Sequence, residues 1–240
     1  MPCCKHPVFA QRNPSAVLVR IESLSIREDS FTPTAFGSWA SGDYSRSGAT
    51  PGLKGDGTTK YLNTNRAGNA DGDNNHHVAA FMTQGTVAAG EYLIGAMTTA
   101  SSYTIAGYAV YSRTPTPAAV LETGTGMYGV SRDNTSDFDY VKASSGVLPS
   151  GSRPTVAANI SNSHSVFAYT LNDGVPTGHT DARLAFYSIG SALDLAALDT
   201  RVTNMVTAIR FHTLTGLLPN DYDPATIAYI TAAYAAGGTL

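Results

Sequence analysis

Arg183-Leu-Ala-Phe-Tyr-Ser-Ile-Gly190 runs straight into Ser191-Ala-Leu-Asp-Leu-Ala-Ala-Leu-Asp-Thr-Arg-Val-Thr-Asn-Met-Val-Thr-Ala-Ile209. The first block reads as a strand. After its closing glycine the pattern changes to a helical period. Leu195, Leu198, Val202, Met205, Val206 and Ile209 fall on one face, and Asp194 stands where an N-cap belongs. A helix this short is marginal alone in water, so it must rest on a sheet. Everything upstream reads as β-structure. The expected class is therefore all-β, an antiparallel β-sandwich with one or two late α-helices.

Working outward, Ala16 to Ile26 favours a strand, and residues 29–57 suggest short strands among Gly-, Ser- and Pro-rich loops. Asp56-Gly57 marks a tight turn, followed by the apolar end of Thr58–Leu62. Asn63 to Asn75 reads as a polar loop. His77–Met82 and Glu91–Met97 read as strands, and Tyr103–Tyr111 as one long central strand. Met127–Val130 and Phe138–Val141 flank a turn at Arg132–Ser136. Thr155–Ile160 and Ser165–Leu171 read as a strand pair, with Asn172-Asp-Gly174 as the next turn. A second helix is expected from Asp223 and Pro224 to the stop at Gly237-Gly238, with Ile227, Ile230 and Tyr234 on one stripe. Turn signals at short intervals, without an internal repeat, suit a sandwich or barrel and disfavour a propeller.

The chain has 240 residues, enough for one large β domain. Charged residues make up 14%, below the usual level of about 25%, so neutral Ser, Thr, Asn and Gly must keep the surface wet. Such a surface suits a particle exterior or a sugar-contacting face. The net charge is −3 without a basic run, which argues against a nucleic-acid partner. No apolar run is long enough to span a bilayer, so membrane insertion is not expected. The start, Met1 to Pro7, lacks the apolar core of a signal peptide. Cys3 and Cys4 are adjacent and cannot staple distant segments; with His6 they are too few to mark a metal site.

One set of motifs resembles a known family. It comprises Gly52-Leu-Lys-Gly-Asp-Gly-Thr-Thr-Lys-Tyr-Leu-Asn-Thr-Asn65, Arg66-Ala-Gly-Asn69, His77-Val-Ala-Ala80, Gly129-Val-Ser-Arg132 and the Arg183–Gly190 block with its Leu-Asp-Leu helix start. Together they resemble phage structural proteins, cyanophage-type, that carry a concanavalin A-like (laminin G-like) jelly-roll domain in tail fibres and other virion surface parts. The likeness spans residues 36–212. It implies a concanavalin A-like antiparallel β-sandwich (jelly roll), displayed on a virion after assembly in the host cytoplasm, and no reaction. The implied role is a non-enzymatic adhesion module, first as a tail fibre or receptor-binding protein, alternatively as a capsid decoration (cement) protein. Implied partners are other virion proteins, a host surface glycan and further copies of the chain, a trimer by analogy. The chain then divides into an N-terminal arm and first strand (1–28), the jelly-roll domain (29–215) and a C-terminal helical segment (216–240). The arm is suited to adding a strand to a neighbour. The helix at Leu195–Ile209 is expected to close an open edge or end of the sandwich.

Enzymatic readings have less to stand on. Polysaccharide hydrolysis needs two carboxylates flanking a bond. Asp137 and Asp139 share one face of a strand, but beside a turn, where a solvated strand end explains them equally. Asp71, Asp73 and Asn75 offer oxygen at alternating positions, as a calcium loop does. His76 and Met82 break the EF-hand pattern, and an Asx-rich turn explains the same residues. His76 and His77 point to opposite faces of a strand and cannot share one zinc. No catalytic, cofactor-binding or metal residue is assigned, and no cofactor is expected. Trp39, Tyr44, Tyr128 and Asn134 are of the residue types that contact sugars, although core or interface packing is the favoured reading of Trp39. A glycan site is not placed by the sequence.

Overall fold

The computed structural model describes residues 33–45, 49–98, 101–106, 109–114, 124–143, 146–150 and 164–214. The expected strands at Ala16–Ile26 and Thr155–Ile160, the arm and the second helix lie outside these residues.

Two sheets face each other. The first contains β1 (Thr34–Phe36), β4 (Tyr61–Ala67), β6 (Tyr92–Thr98), β7 (Ser101–Ala106), β8 (Ala109–Thr114), β12 (Ser165–Ala168), β13 (Leu171–Asn172) and β14 (Pro176–Thr177). The second runs in the order β11 (Val147–Pro149), β10 (Asp139–Ala143), β9 (Gly126–Arg132), β5 (His76–Gln84), β15 (Arg183–Gly190), β3 (Gly52–Lys54), β2 (Tyr44–Ser45). Pairing is antiparallel except between β13 and β6. The β-sandwich expected from the alternation is therefore present, with one α-helix among the described residues, α1 (Leu195–Leu214).

Alternation decides which side chains meet between the sheets. Leu62, Ile94, Ile105, Val110, Val166 and Ala168 from the first sheet pack against Val78, Ala80, Met82, Tyr128, Val130 and Leu184 from the second. The intervening positions of the second sheet form another core. Ala79, Phe81, Met127 and Val141 face outward and meet Leu195, Leu198, Val202 and Val206 of α1. The helix thus lies on the outer face of the second sheet, against β9 and β10, and does not close an edge. An edge needs backbone partners; this face instead offers a row of apolar side chains, which an amphipathic stripe buries more effectively. Within the sheet, Gly129 of β9 relieves crowding with its β5 neighbour, because a Cβ there would lie 3.0 Å from the Ala79 Cβ.

The helix starts where expected. Asp194 Oδ1 accepts the backbone N–H of Ala196 (2.9 Å) and of Ala197 (3.0 Å). A bulge around Leu184–Phe186 lets both Ala185 and Phe186 face α1, while Leu184, Tyr187 and Ile189 serve the inter-sheet core.

Three boundaries differ from the pattern reading. Tyr103–Tyr111 is not one strand but parts of the hairpin β7–β8, with Ile105 opposite Val110 and Ala106 opposite Ala109. Its residue types suit strands on both sides of the reversal, which hides the turn. Ser165–Leu171 divides into β12 and β13 because Tyr169 takes a left-handed φ of 72° while its hydroxyl donates to Leu53 O at 2.7 Å. The polar segment Asn63–Asn75 begins as strand: β4 continues to Ala67, with Thr64 inward, donating to Val166 O at 2.7 Å, and Asn63 outward.

The buried helix stripe sets a measurable cost. Leu198→Ala should lower unfolding free energy in urea by about 2–5 kcal/mol. A loss below about 1 kcal/mol would mean that α1 contributes no core.

Candidate functional site

Asn69 to Asn75, the oxygen-rich loop, is held by guanidinium groups. Arg66 bridges Asp71 through two nitrogens, at 3.2 and 2.5 Å. Buried Arg113 donates to Asp71 O (3.0 Å), Asp73 Oδ1 (3.1 Å) and Gly68 O. Asn75 Oδ1 accepts the Ala192 N–H at 2.9 Å. The oxygens named as calcium candidates at Asp71, Asp73 and Asn75 thus engage Arg66, Arg113 and a backbone N–H. Among the described residues, no group of three or more His, Cys, Asp or Glu is placed to hold a metal ion.

The two histidines diverge as strand alternation requires. His76 Nε2 meets Ser112 Oγ at 2.7 Å and its Nδ1 meets Gly72 O at 3.2 Å. His77 Nε2 meets Ser188 Oγ at 2.7 Å and its Nδ1 meets Ser191 O at 2.6 Å. Buried Arg132 shares Ser112 Oγ at 3.4 Å and lies 5.1 Å over the Phe138 ring. Burial, followed by the Arg113 charge, pulls His76 down to about 3. Burial pulls His77 down to about 4 against the bond to Ser191. This polar layer joins the two sheets at one end and anchors the loop. It is structural in its bonding.

Asp139 lies on β10 in a cleft of about 360 Å³ shared with Ser131, Asp133, Val147 and Asp194. Burial, then the charges of Asp133, Asp137 and Asp194, raises its pKa. Asp194 is committed to capping α1, and Asp133 Oδ1 accepts from Asn134 Nδ2 at 2.9 Å. Sequence reasoning paired Asp139 with Asp137; the structure adds Asp133 and Asp194, the latter carried there by the α1 N-terminus.

The aromatic candidates do not form one site. Tyr128 is core, its hydroxyl donating to Gly124 O at 2.5 Å. Asn134 is a turn residue, its Oδ1 accepting the N–H groups of Ser136 and Asp137 at 2.8 and 2.9 Å. Tyr44 is half-buried on β2, opposite Leu53. Trp39 packs edge-on to Tyr169 at 5.5 Å with the Lys60 ammonium 5.6 Å from its ring, in keeping with the packing reading.

A different aromatic group stands on the outer face of the first sheet. Phe36 on β1 lies directly opposite Tyr61 on β4, and their rings stack in parallel at 4.6 Å. Tyr61 next meets Phe167 of β12 at 4.8 Å. His179 approaches Tyr61 edge-on at 6.0 Å. Phe36 is 40% exposed, against 8% for Phe167. His179 is positioned from both sides: Gly178 O accepts the Tyr92 N–H, and the Thr180 N–H donates to Tyr169 O, each at 3.0 Å. Gly178 has a φ of 65° and no room for a Cβ beside Gly90 O and the Tyr92 ring. Nearby, Asp56 accepts the N–H groups of Thr58, Thr59 and Lys60 at 2.8–2.9 Å and the Thr59 hydroxyl at 2.6 Å. Burial opposes its ionisation, yet these donors together hold it well below the usual carboxylate range. The sequence reading missed this group. Its signal was the alternation in Tyr61-Leu62-Asn63-Thr64, which puts Tyr61 on the opposite face of β4 from buried Leu62 and Thr64.

No family profile, curated protein or solved structure matches the chain.

The buried histidines give the fold an acid limit. From about pH 6.5 down to about 4, the unfolded chain binds protons that folded His76 and His77 refuse, so stability falls as pH falls. Melting temperature should drop across that window, and His77→Asn should flatten the drop; an unchanged slope would mean that His77 titrates normally in the fold. Asp56→Ala should cost about 1–3 kcal/mol at neutral pH in urea unfolding, because three N–H groups lose a charged acceptor.

Proposed function

We propose that this chain is a non-enzymatic structural protein of a phage virion, with its sandwich as a surface adhesion module of the concanavalin A-like (jelly-roll) type. A tail-fibre or receptor-binding station is the first assignment. The observation that carries the reading is the asymmetry of the sandwich. One outer face is sealed by α1, whereas the other carries a half-open aromatic ladder on a surface poor in charge. The chain crosses between the sheets at β4–β5 and β5–β6, a kind of connection that a jelly roll uses, while β6–β8, β9–β11 and β12–β14 each stay within one sheet. The motif resemblance over residues 36–212 supplies the virion context.

The test is location. Antibody against the chain should decorate intact particles of the parent phage in electron micrographs, and added soluble chain should slow adsorption to host cells. Purified particles that lack the chain by mass spectrometry would refute the assignment. Decorated particles whose adsorption is unaffected would move the chain to the decoration role.

A polysaccharide-degrading reading has one observation in its favour, the raised Asp139 carboxyl in an acidic cleft. Incubation with host envelope polysaccharide should release no reducing ends. Release abolished in Asp139→Ala would make the chain a hydrolase.

A further inference from the structure

We propose that the chain's own C-terminal segment, Asp223–Tyr234, folds back along α1 as an antiparallel helix and fills a groove between α1 and the second sheet. This contact within the chain is independent of the adhesion reading.

A groove of about 380 Å³ runs beside α1. Phe81 of β5, Gly126 of β9 and Ala143 of β10 line its sheet side, and Asp199, Thr203 and Arg210 line its helix side. Those three helix positions fall on one flank of α1, next to the buried stripe of Leu195, Val202 and Val206. Asp199 and Arg210 are eleven residues apart, so the helix side rises about 16 Å from one charge to the other. Neither charge is fully met among the described residues. Arg210 Nε is shut off from solvent without a hydrogen-bond partner. Asp199 accepts the Thr203 hydroxyl at 3.2 Å through Oδ1 only, and burial raises its pKa. A desolvated guanidinium calls for an acceptor, and a half-buried carboxyl for a donor.

The sequence beyond α1 carries the matching groups in the matching order. Residues 215–222 separate the end of α1 from Asp223, a length that suits a connection between antiparallel helices. From Asp223 and Pro224 the helical pattern places Ile227, Ile230 and Tyr234 on one stripe. An antiparallel register that sets Asp223 opposite Arg210 also sets Ile230 opposite Thr203 and Tyr234 opposite Asp199, because both spacings are eleven residues. Asp223, with Asp221 just before it, brings carboxylates to the guanidinium. The isoleucines cover the apolar side made by Phe81 and Ala143. The Tyr234 hydroxyl donates to the free Asp199 oxygen. A helix of this length needs a surface to rest on. A segment tethered one turn beyond Arg210 also holds a high effective concentration at the groove, against which a second copy must compete.

The experiment uses the full chain carrying Cys3→Ser and Cys4→Ser. Thr203 is exposed on α1, so Thr203→Cys leaves the core intact. Under a mild oxidant, Thr203→Cys and Ile230→Cys together should form a disulfide within the monomer, which requires their Cα atoms to come within about 7 Å. Thr200→Cys, on the solvent side of α1, should not link to Ile230→Cys. Arg210→Glu should suppress the link by setting like charges against Asp221 and Asp223. As a second readout, Ile230→Asp should raise the reactivity of Thr203→Cys toward a thiol reagent at least about fivefold, by opening the groove. No link from position 203, an equal link from position 200, or reactivity unchanged by Ile230→Asp overturns the proposal. A disulfide found only between two chains overturns it as well, and assigns the groove to the segment of a second copy.

Discussion

Strand β5 is buried along nearly its whole length, and both layers of the protein are built on it. Its inward residues Val78, Ala80 and Met82 join the inter-sheet core, while Ala79 and Phe81 support α1. Paired on either side with β9 and β15, it has no edge to protect. A strand buried on both faces cannot alternate between apolar and polar side chains, and His77-Val-Ala-Ala-Phe-Met82 does not. Ala79 and Gly129 are paired across β5 and β9, and both are small where a Cβ on Gly129 would crowd Ala79.

The cost of such a core appears at its polar end. Arg113 and Arg132 are buried there beside a neutral His76, and burying charge is tolerable only with partners. Carbonyls of Gly68 and Asp71 and the Asp73 carboxylate receive Arg113; the Ser112 hydroxyl accepts from Arg132 and donates to Nε2 of His76, whose Nδ1 faces Gly72 O. An acidic loop that resembles a cation-binding element is thereby used with a guanidinium as its cation. The arrangement ties β4, β5, β8 and β9 together, so the loop is set by the sandwich and not by its own sequence.

The two outer faces have different fates for a simple reason. The second sheet turns apolar side chains outward, and those recruit the helix. The first sheet turns outward Phe36, Tyr61, Asn63 and Phe167, a mixture of rings and amides that is stable half-wet. Cross-strand stacking stabilises this surface without sealing it, which leaves an ordered aromatic edge for contact with something outside the chain.

Much of the architecture was legible in the sequence. Strand alternation, the Asp194 cap, the α1 stripe and the turns at Asn134 and Asn172 are determined by residues within a few positions of one another, so local spacing reports them. The hairpin between β7 and β8, the break at Tyr169, the outer-face seat of α1 and the meeting of Asp139 with Asp194 were decided by tertiary structure. So was the ladder, because Phe36, Tyr61, Phe167 and His179 come from four separate segments that strand pairing makes neighbours. Local periodicity determines which way a side chain points. What it meets there depends on long-range pairing, whose free energy is not written in the spacing of any single segment.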